Sequence, residues 1–222
     1  MTRAPVHKTR LIAWVLLVGA VAGLEYAARF SGSTNSASTR NEVYSYSAFA
    51  SGLVFYGLIL VVALAIAYER TDFLVLRRPG GHPMRTAAGV FISIYFVEVL
   101  VTLLPIRNPG NEQGLTPAHW EPAHAGAFAA NVVLLAGVAP IIEELAFRGV
   151  GQSLLQPFGR WPSILGIGVA FGVWHGLVQA ELVLVPFGIG LAYLRDRTRS
   201  TIPGMFVHAA FNGLALALSV LS

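Results

Sequence analysis

The chain has 222 residues, of which 55% are apolar and 12% charged, and its formal net charge is +4. An ordinary soluble domain carries roughly twice that share of charged residues, so the composition excludes one and points to helices that live in a bilayer. There is no cysteine, which excludes disulfides, thiolate nucleophiles and cysteine metal sites.

Seven apolar segments, at about 11–29, 48–68, 87–106, 124–147, 162–178, 182–194 and 202–221, are long enough, or nearly so, to cross about 30 Å of hydrocarbon. The first follows Arg3, Lys8 and Arg10. It also reads as a signal-peptide pattern ending at Ala20-Val21-Ala22, but Glu25 and Arg29, four apart, can pair at the far membrane face and suit a retained helix. The polar stretch 31–46 and the Pro/Gly-rich stretch 105–122 are the longest loops on that side. The fourth segment is interrupted by Pro140, and reads either as one kinked helix or as a span followed by a second helix. The sixth is short and carries Pro186, so it is tilted, kinked or half-spanning.

Basic residues alternate between the loops. Arg3, Lys8 and Arg10; Arg70, Arg77, Arg78 and Arg85; Arg160; and Arg195, Arg197 and Arg199 fall in one set, against Arg29, Arg40 and Arg107 in the other. The positive-inside rule then places the N-terminus in the cytoplasm and, with seven spans, the C-terminus outside. The expected fold is an all-α polytopic bundle in one membrane domain. Residues 1–123 hold the N-terminal helices, and 124–222 hold a core that carries the chemistry.

Three patterns in the C-terminal half carry that chemistry: Glu143-Glu144-x-x-x-Arg148, Phe171-x-x-x-His175 and His208-x-x-x-Asn212. Ionisable side chains inside a bilayer are costly and face a protein interior or a wet cavity. Glu144 and Arg148 are four apart and share a helix face, so they can neutralise each other. Glu143 is turned about 100° away and has no basic residue three or four positions from it, which leaves it as the free carboxylate. His208 and Asn212 share a face and offer two donors to one point, an arrangement that suits an oxyanion. Gly168, Gly172 and Gly176 recur every four residues before and beside His175, a small-residue stripe that lets helices approach closely.

Taken singly these features have plain readings. An intramembrane histidine is often a hydrogen-bonded packing residue, and a Glu–Arg pair in a membrane helix is usually structural. Their joint occurrence is what points to a hydrolytic site. Other polar residues read as structural: Glu98 bonding Tyr95 or Thr102, Glu181 solvated, Trp174 a packing or cavity-wall residue, and His119 and His124 on the surface.

With these motifs in this order, the chain resembles the CPBP family of intramembrane glutamic endopeptidases, which includes the CAAX prenyl endopeptidases and bacteriocin-processing enzymes. The resemblance covers about 124–221. It implies that Glu143 and His175 activate a water, that His208 and Asn212 bind the oxyanion, and that Glu144 and Arg148 support them, with no metal or other cofactor. The expected activity is cleavage of a membrane-associated or lipidated peptide, or of a leader or sorting peptide. The cavity is expected to open toward the cytoplasm or the inner leaflet of a bacterial cytoplasmic membrane. The partners are then the peptide substrate and the bilayer, with no nucleic acid. Two rival readings remain. One is a zinc protease using Glu143, His175 and His208, although no His-Glu-x-x-His occurs and Asn212 would be idle. The other is a non-enzymatic immunity or scaffold protein.

Overall fold

The computed structural model describes residues 6–31, 42–104 and 120–221. It is an all-α bundle of seven helices, with no strand among the described residues: α1 (Lys8–Phe30), α2 (Tyr46–Ile66), α3 (Pro83–Thr102), α4 (Pro122–Phe158), α5 (Arg160–Trp174), α6 (Glu181–Thr198) and α7 (Ile202–Leu221). Five of them, α1 to α4 and α7, are long and apolar enough to cross a membrane. The fifth and sixth expected spans form helices that fall short of that standard for identifiable reasons. α5 has only 15 residues, because the chain turns after His175 through Gly176 at φ +60. α6 runs past its apolar stretch into Arg195, Asp196 and Arg197. Most of the loop sequence at 31–46 and 105–122, with His119, lies outside the described residues.

α4 decides between the two readings of Pro140. It is one continuous helix of 37 residues, but two stretches of it, Leu134–Val138 and Leu145–Gly151, are wound as π-helix. Proline lacks the N–H that would bond the carbonyl four residues back, and its ring crowds that carbonyl. Widening the preceding turn relieves both problems without breaking the helix. Glu143 and Glu144 lie in the short α-helical piece Ala139–Glu144 between the two π stretches.

The basic loops gather at one end of the bundle, as their alternation predicts. Arg10 donates to the Ile66 carbonyl. Arg77 Nε donates to Arg199 O at 2.7 Å, and Gly80 N to Thr198 O at 2.7 Å. Thr201 Oγ1 bonds Leu74 O at 3.0 Å, so the 71–81 and 198–201 connections form one hydrogen-bonded plate. Val75 and Arg199, both left-handed at φ 54, make the turns that bring these strips together. A β-branched residue pays steric strain there, and Val75 is held by burial and by accepting the Thr201 amide.

The glycine stripe works as expected for α5 against α6. A Cβ on Gly168 would lie 2.2 Å from Ile189 Cγ1, and one on Gly172 would lie 2.3 Å from Val185 Cγ2. Gly176 departs from the stripe. It is the left-handed turn after α5, and a Cβ there would strike Glu25 of α1 at 2.5 Å. Arg29 Nε donates to the Gly176 carbonyl at 2.7 Å, which fixes the turn from the far side.

Candidate active site

Each motif residue reaches the site from a defined helix. Glu143, Glu144 and Arg148 come from α4, His175 from the C-terminal end of α5, and His208 and Asn212 from α7. Glu144 and Arg148 are fully buried, and Arg148 Nη1 donates to Glu144 Oε1 at 2.8 Å. The remaining guanidinium contacts are equally specific: Nη2 donates to the Gly188 carbonyl of α6 at 3.2 Å, and Cζ stands 4.3 Å over the Phe171 ring. This is a paired, hydrogen-bonded charge of the kind an interior tolerates.

His208 sits between the two glutamates. Its Nδ1 lies 3.2 Å from Glu144 Oε1, and its Nε2 lies 3.6 Å from Glu143 Oε2. An ionised carboxylate only accepts, so the Glu144 contact puts a proton on Nδ1 and aims Nε2 toward Glu143. Glu144 therefore does more than pair with Arg148, because it also sets the orientation of the α7 imidazole. Gly204, one turn earlier in α7, allows this approach, since a Cβ there would lie 2.5 Å from Glu144 Oε2.

Glu143 is almost fully buried. No arginine or lysine pairs with it among the described residues. Its Oε1 instead accepts the Tyr56 hydroxyl at 2.9 Å. Tyr56 belongs to α2, far from every motif, and nothing in the sequence singles it out: it is one tyrosine on an apolar helix, and the contact spans 87 residues.

His175 is half-buried, and its Nδ1 lies 2.7 Å from the Phe171 carbonyl. A carbonyl only accepts, so Nδ1 carries the proton and a neutral ring keeps its lone pair on Nε2. Glu143, His208 and Arg148 are near enough for their charges to act on this ring. Phe171 explains its own place in the second motif. Arg148 lies over its face, while the rings of His175 and His208 meet it edge-on at 4.8 and 5.7 Å between centroids. It is the apolar hub that spaces three polar groups, and Phe187 stacks against it at 5.6 Å.

Asn212 is one turn beyond His208, and its Nδ2 donates to the Leu135 carbonyl at 2.9 Å. Leu135 lies in the first π stretch, so the amide is anchored on a carbonyl in the widened turn. The second π stretch is supported in a similar way from α1, where Trp14 Nε1 donates to Ala146 O at 2.9 Å and the indole packs on Gly151.

A cavity of about 810 Å³ reaches Tyr56. Ser45, Ser47 and Ser51 of the α2 start, Glu25 of α1, Glu42, and Asn131 of α4 line it. It opens at the end of the bundle where α1 stops and α2 and α4 start, opposite the arginine-rich plate. The expectation of a mouth on the basic, cytoplasmic side is thus not met by this cavity. The small and hydroxylic residues that open it lie at the other end of α2.

The remaining sequence readings divide. Trp174 is a buried wall residue between Phe55 and Phe147. Glu181 is not simply solvated, because the Tyr26 hydroxyl donates to its Oε1. Glu98 does not bond Tyr95 or Thr102: Thr102 Oγ1 donates to Val99 O at 2.7 Å, and the buried Glu98 Oε2 finds no hydrogen-bond partner among the described residues. Among the described residues no three His, Asp or Glu side chains converge as a metal-ion site.

Residues 125–214 match the family model described as Rce1-like, type II CAAX prenyl endopeptidase. This match supports the CPBP/CAAX protease family over that stretch. The matched stretch begins three residues into α4 and ends within α7, so it holds all three motifs. No curated protein and no solved structure is similar enough to be matched to the chain. A CAAX protease is a peptidase, and with its long apolar helices this one is an integral membrane peptidase that acts on a peptide or protein substrate in the membrane.

Proposed function

We propose that this CAAX protease is a glutamic-type endopeptidase, in which Glu143 and His175 activate water and His208 and Asn212 hold the oxyanion. The observation that carries the reading is the division of labour between adjacent carboxylates. Glu144 is neutralised by Arg148, whereas Glu143, among the described residues, accepts a tyrosine hydroxyl, has His208 Nε2 at 3.6 Å, and lies near enough to His175 for its charge to act on that ring.

In this reading Glu143 takes a proton from a water, and the oxygen attacks the scissile carbonyl carbon. Nε2 of His175, lone pair outward, shares the proton. The carbonyl π electrons move to oxygen, where His208 Nε2 and the Asn212 amide donate to it. Donation from Nε2 while Nδ1 stays on Glu144 requires the imidazolium form of His208. Collapse of the intermediate breaks the C–N bond, and the proton held by the Glu143–His175 pair passes to the leaving amine. An oxyanion donor of this kind lowers the barrier by about 3–4 kcal/mol.

The substrate class proposed is a membrane-associated peptide, lipidated or carrying a leader or sorting segment, in a bacterial cytoplasmic membrane. The test is cleavage of a farnesylated CAAX peptide, with an unmodified leader peptide in parallel, by the purified chain and by Glu143→Gln. The glutamine keeps size and hydrogen bonding and removes the base, so a loss on the order of 10²–10⁴-fold is expected. Retained turnover by Glu143→Gln sinks the assignment of the base. Termini proteomics in cells carrying either form then identifies the natural substrate.

A further inference from the structure

A second cavity, of about 750 Å³, lies between α3 and α6 on the side of α6 turned away from the catalytic groups. Its α3 wall is a single helix face of small and apolar residues, Gly89, Val90, Ser93, Ile94 and Val97. Its α6 wall is Pro186, Ile189, Gly190 and Tyr193. Gly89 leaves real space, since a Cβ there meets nothing within 4 Å. One end of the groove is different. His82, Arg85 and Thr86 of the α3 start, Arg197 of the α6 end and Trp161 of α5 surround it.

The mouth is positive, and among the described residues no acidic side chain lines the groove. The nearby Asp196 is taken up by Arg160, whose Nε donates to it at 2.8 Å while its Cζ lies 5.1 Å over Trp161 and 5.9 Å over Tyr193. Tryptophan and tyrosine at a helix end mark a membrane–water boundary. This end belongs to the arginine-rich plate, the cytoplasmic face by the positive-inside rule, where anionic headgroups concentrate and basic pockets between helices bind them. From Arg85 to Val97 the α3 wall descends about 18 Å at 1.5 Å per residue, slightly more than the roughly 15 Å of one leaflet's hydrocarbon.

We propose that this groove binds an anionic phospholipid of the inner leaflet, with its phosphate at Arg85 and Arg197 and one acyl chain laid between α3 and α6. The occupant is set by the combination of a cationic mouth and an apolar trough of one-leaflet depth. Neither a soluble anion nor a neutral lipid uses both halves. The lipid would then touch the helix that holds the site from behind, because α6 presents Gly188 O to Arg148 and Phe187 to the His208 ring. The inference stands apart from the proposed catalytic roles.

The experiment is native mass spectrometry of the full chain in detergent, titrated with phosphatidylglycerol and with phosphatidylcholine of the same acyl chains. The wild type is expected to hold phosphatidylglycerol at least tenfold more tightly. Arg85→Ala/Arg197→Ala changes two exposed side chains and should bring phosphatidylglycerol down to the phosphatidylcholine level. Gly89→Phe fills the open trough and should weaken both lipids. Equal affinity of the wild type for the two lipids, or phosphatidylglycerol binding untouched in the double variant, overturns the proposal. Displacement by glycerol phosphate alone overturns it by making the chain irrelevant. Displacement by a farnesylated peptide overturns it by reassigning the groove to a substrate lipid.

Discussion

The Tyr56 hydroxyl on α2 donates to Glu143 Oε1 on α4 at 2.9 Å, which ties a helix outside the family-matched stretch to the carboxylate at the centre of the site. The bond fixes one oxygen of Glu143 and leaves Oε2 facing His208. Tyr56→Phe keeps the ring and removes the donor. A hydrogen bond to a charged group is worth about 1.5–3 kcal/mol, so the peptidase rate is expected to fall by roughly 10–100-fold with little change in KM. Steady-state kinetics on a CAAX peptide checks this, and an unchanged kcat shows that Glu143 needs no such anchor.

Arg148 should behave differently from Glu143 when replaced. Arg148→Ala leaves Glu144 fully buried and without its guanidinium, a loss of about 3–5 kcal/mol for a broken buried pair. It also empties the space over Phe171. The variant is expected to lose thermal stability in detergent as well as activity. A melting temperature equal to that of the wild type counts against a structural role for the pair.

Gly204→Ala tests the seating of α7 on Glu144. The added methyl would lie 2.5 Å from Glu144 Oε2, and that carboxylate is pinned by Arg148, so it cannot swing aside freely. The expected result is a folded protein with impaired cleavage, because the shift is passed to His208 through the 3.2 Å contact. Full activity in Gly204→Ala would mean that α7 tolerates displacement.

Trp14→Phe removes the indole N–H from the buried Ala146 carbonyl. The Ala146 carbonyl keeps its place in the π-helical ladder and loses one of its two donors, and a neutral interior hydrogen bond is worth about 0.5–1.5 kcal/mol. A lowered unfolding temperature is expected, and one that stays unchanged argues that the carbonyl finds another partner.

Prolonged chelation should leave the peptidase rate unaltered if water is activated by Glu143 and His175 alone. Inactivation reversed by added zinc, with about one zinc per chain in elemental analysis, would instead make Glu143, His175 and His208 ligands.

What the sequence revealed follows from what is periodic. Apolar runs, arginine alternation and the i,i+4 pairing of Glu144 with Arg148 all depend on residues close together in the chain, so they are legible without a structure. The glycine stripe predicted a close helix approach for the same reason, without naming α6 as the partner, and it failed only at Gly176, where the helix stops. Tyr56, Trp14 and Gly204 were silent because their contacts join distant segments, and each is an ordinary residue for a membrane helix. The link from Glu144 to His208 was missed for a related reason. Local spacing assigned Glu144 wholly to Arg148, but a carboxylate oxygen can accept from two donors at once. The two π stretches had one local signal, Pro140, which indicated a disturbance but not its form.

The two hydrogen bonds that enter α4 from the N-terminal helices bear on how this enzyme can be divided. A fragment starting at residue 122 would contain every motif and the whole matched stretch, yet it would lack the Tyr56 hydroxyl and the Trp14 indole. Its Glu143 would be unanchored, and the Ala146 carbonyl and the Gly151 face would lie bare toward lipid. Such a fragment would not be a minimal protease, but the missing groups come from separate, self-contained helices. Co-expression of the two halves as independent chains should therefore rebuild in the membrane what neither half provides alone.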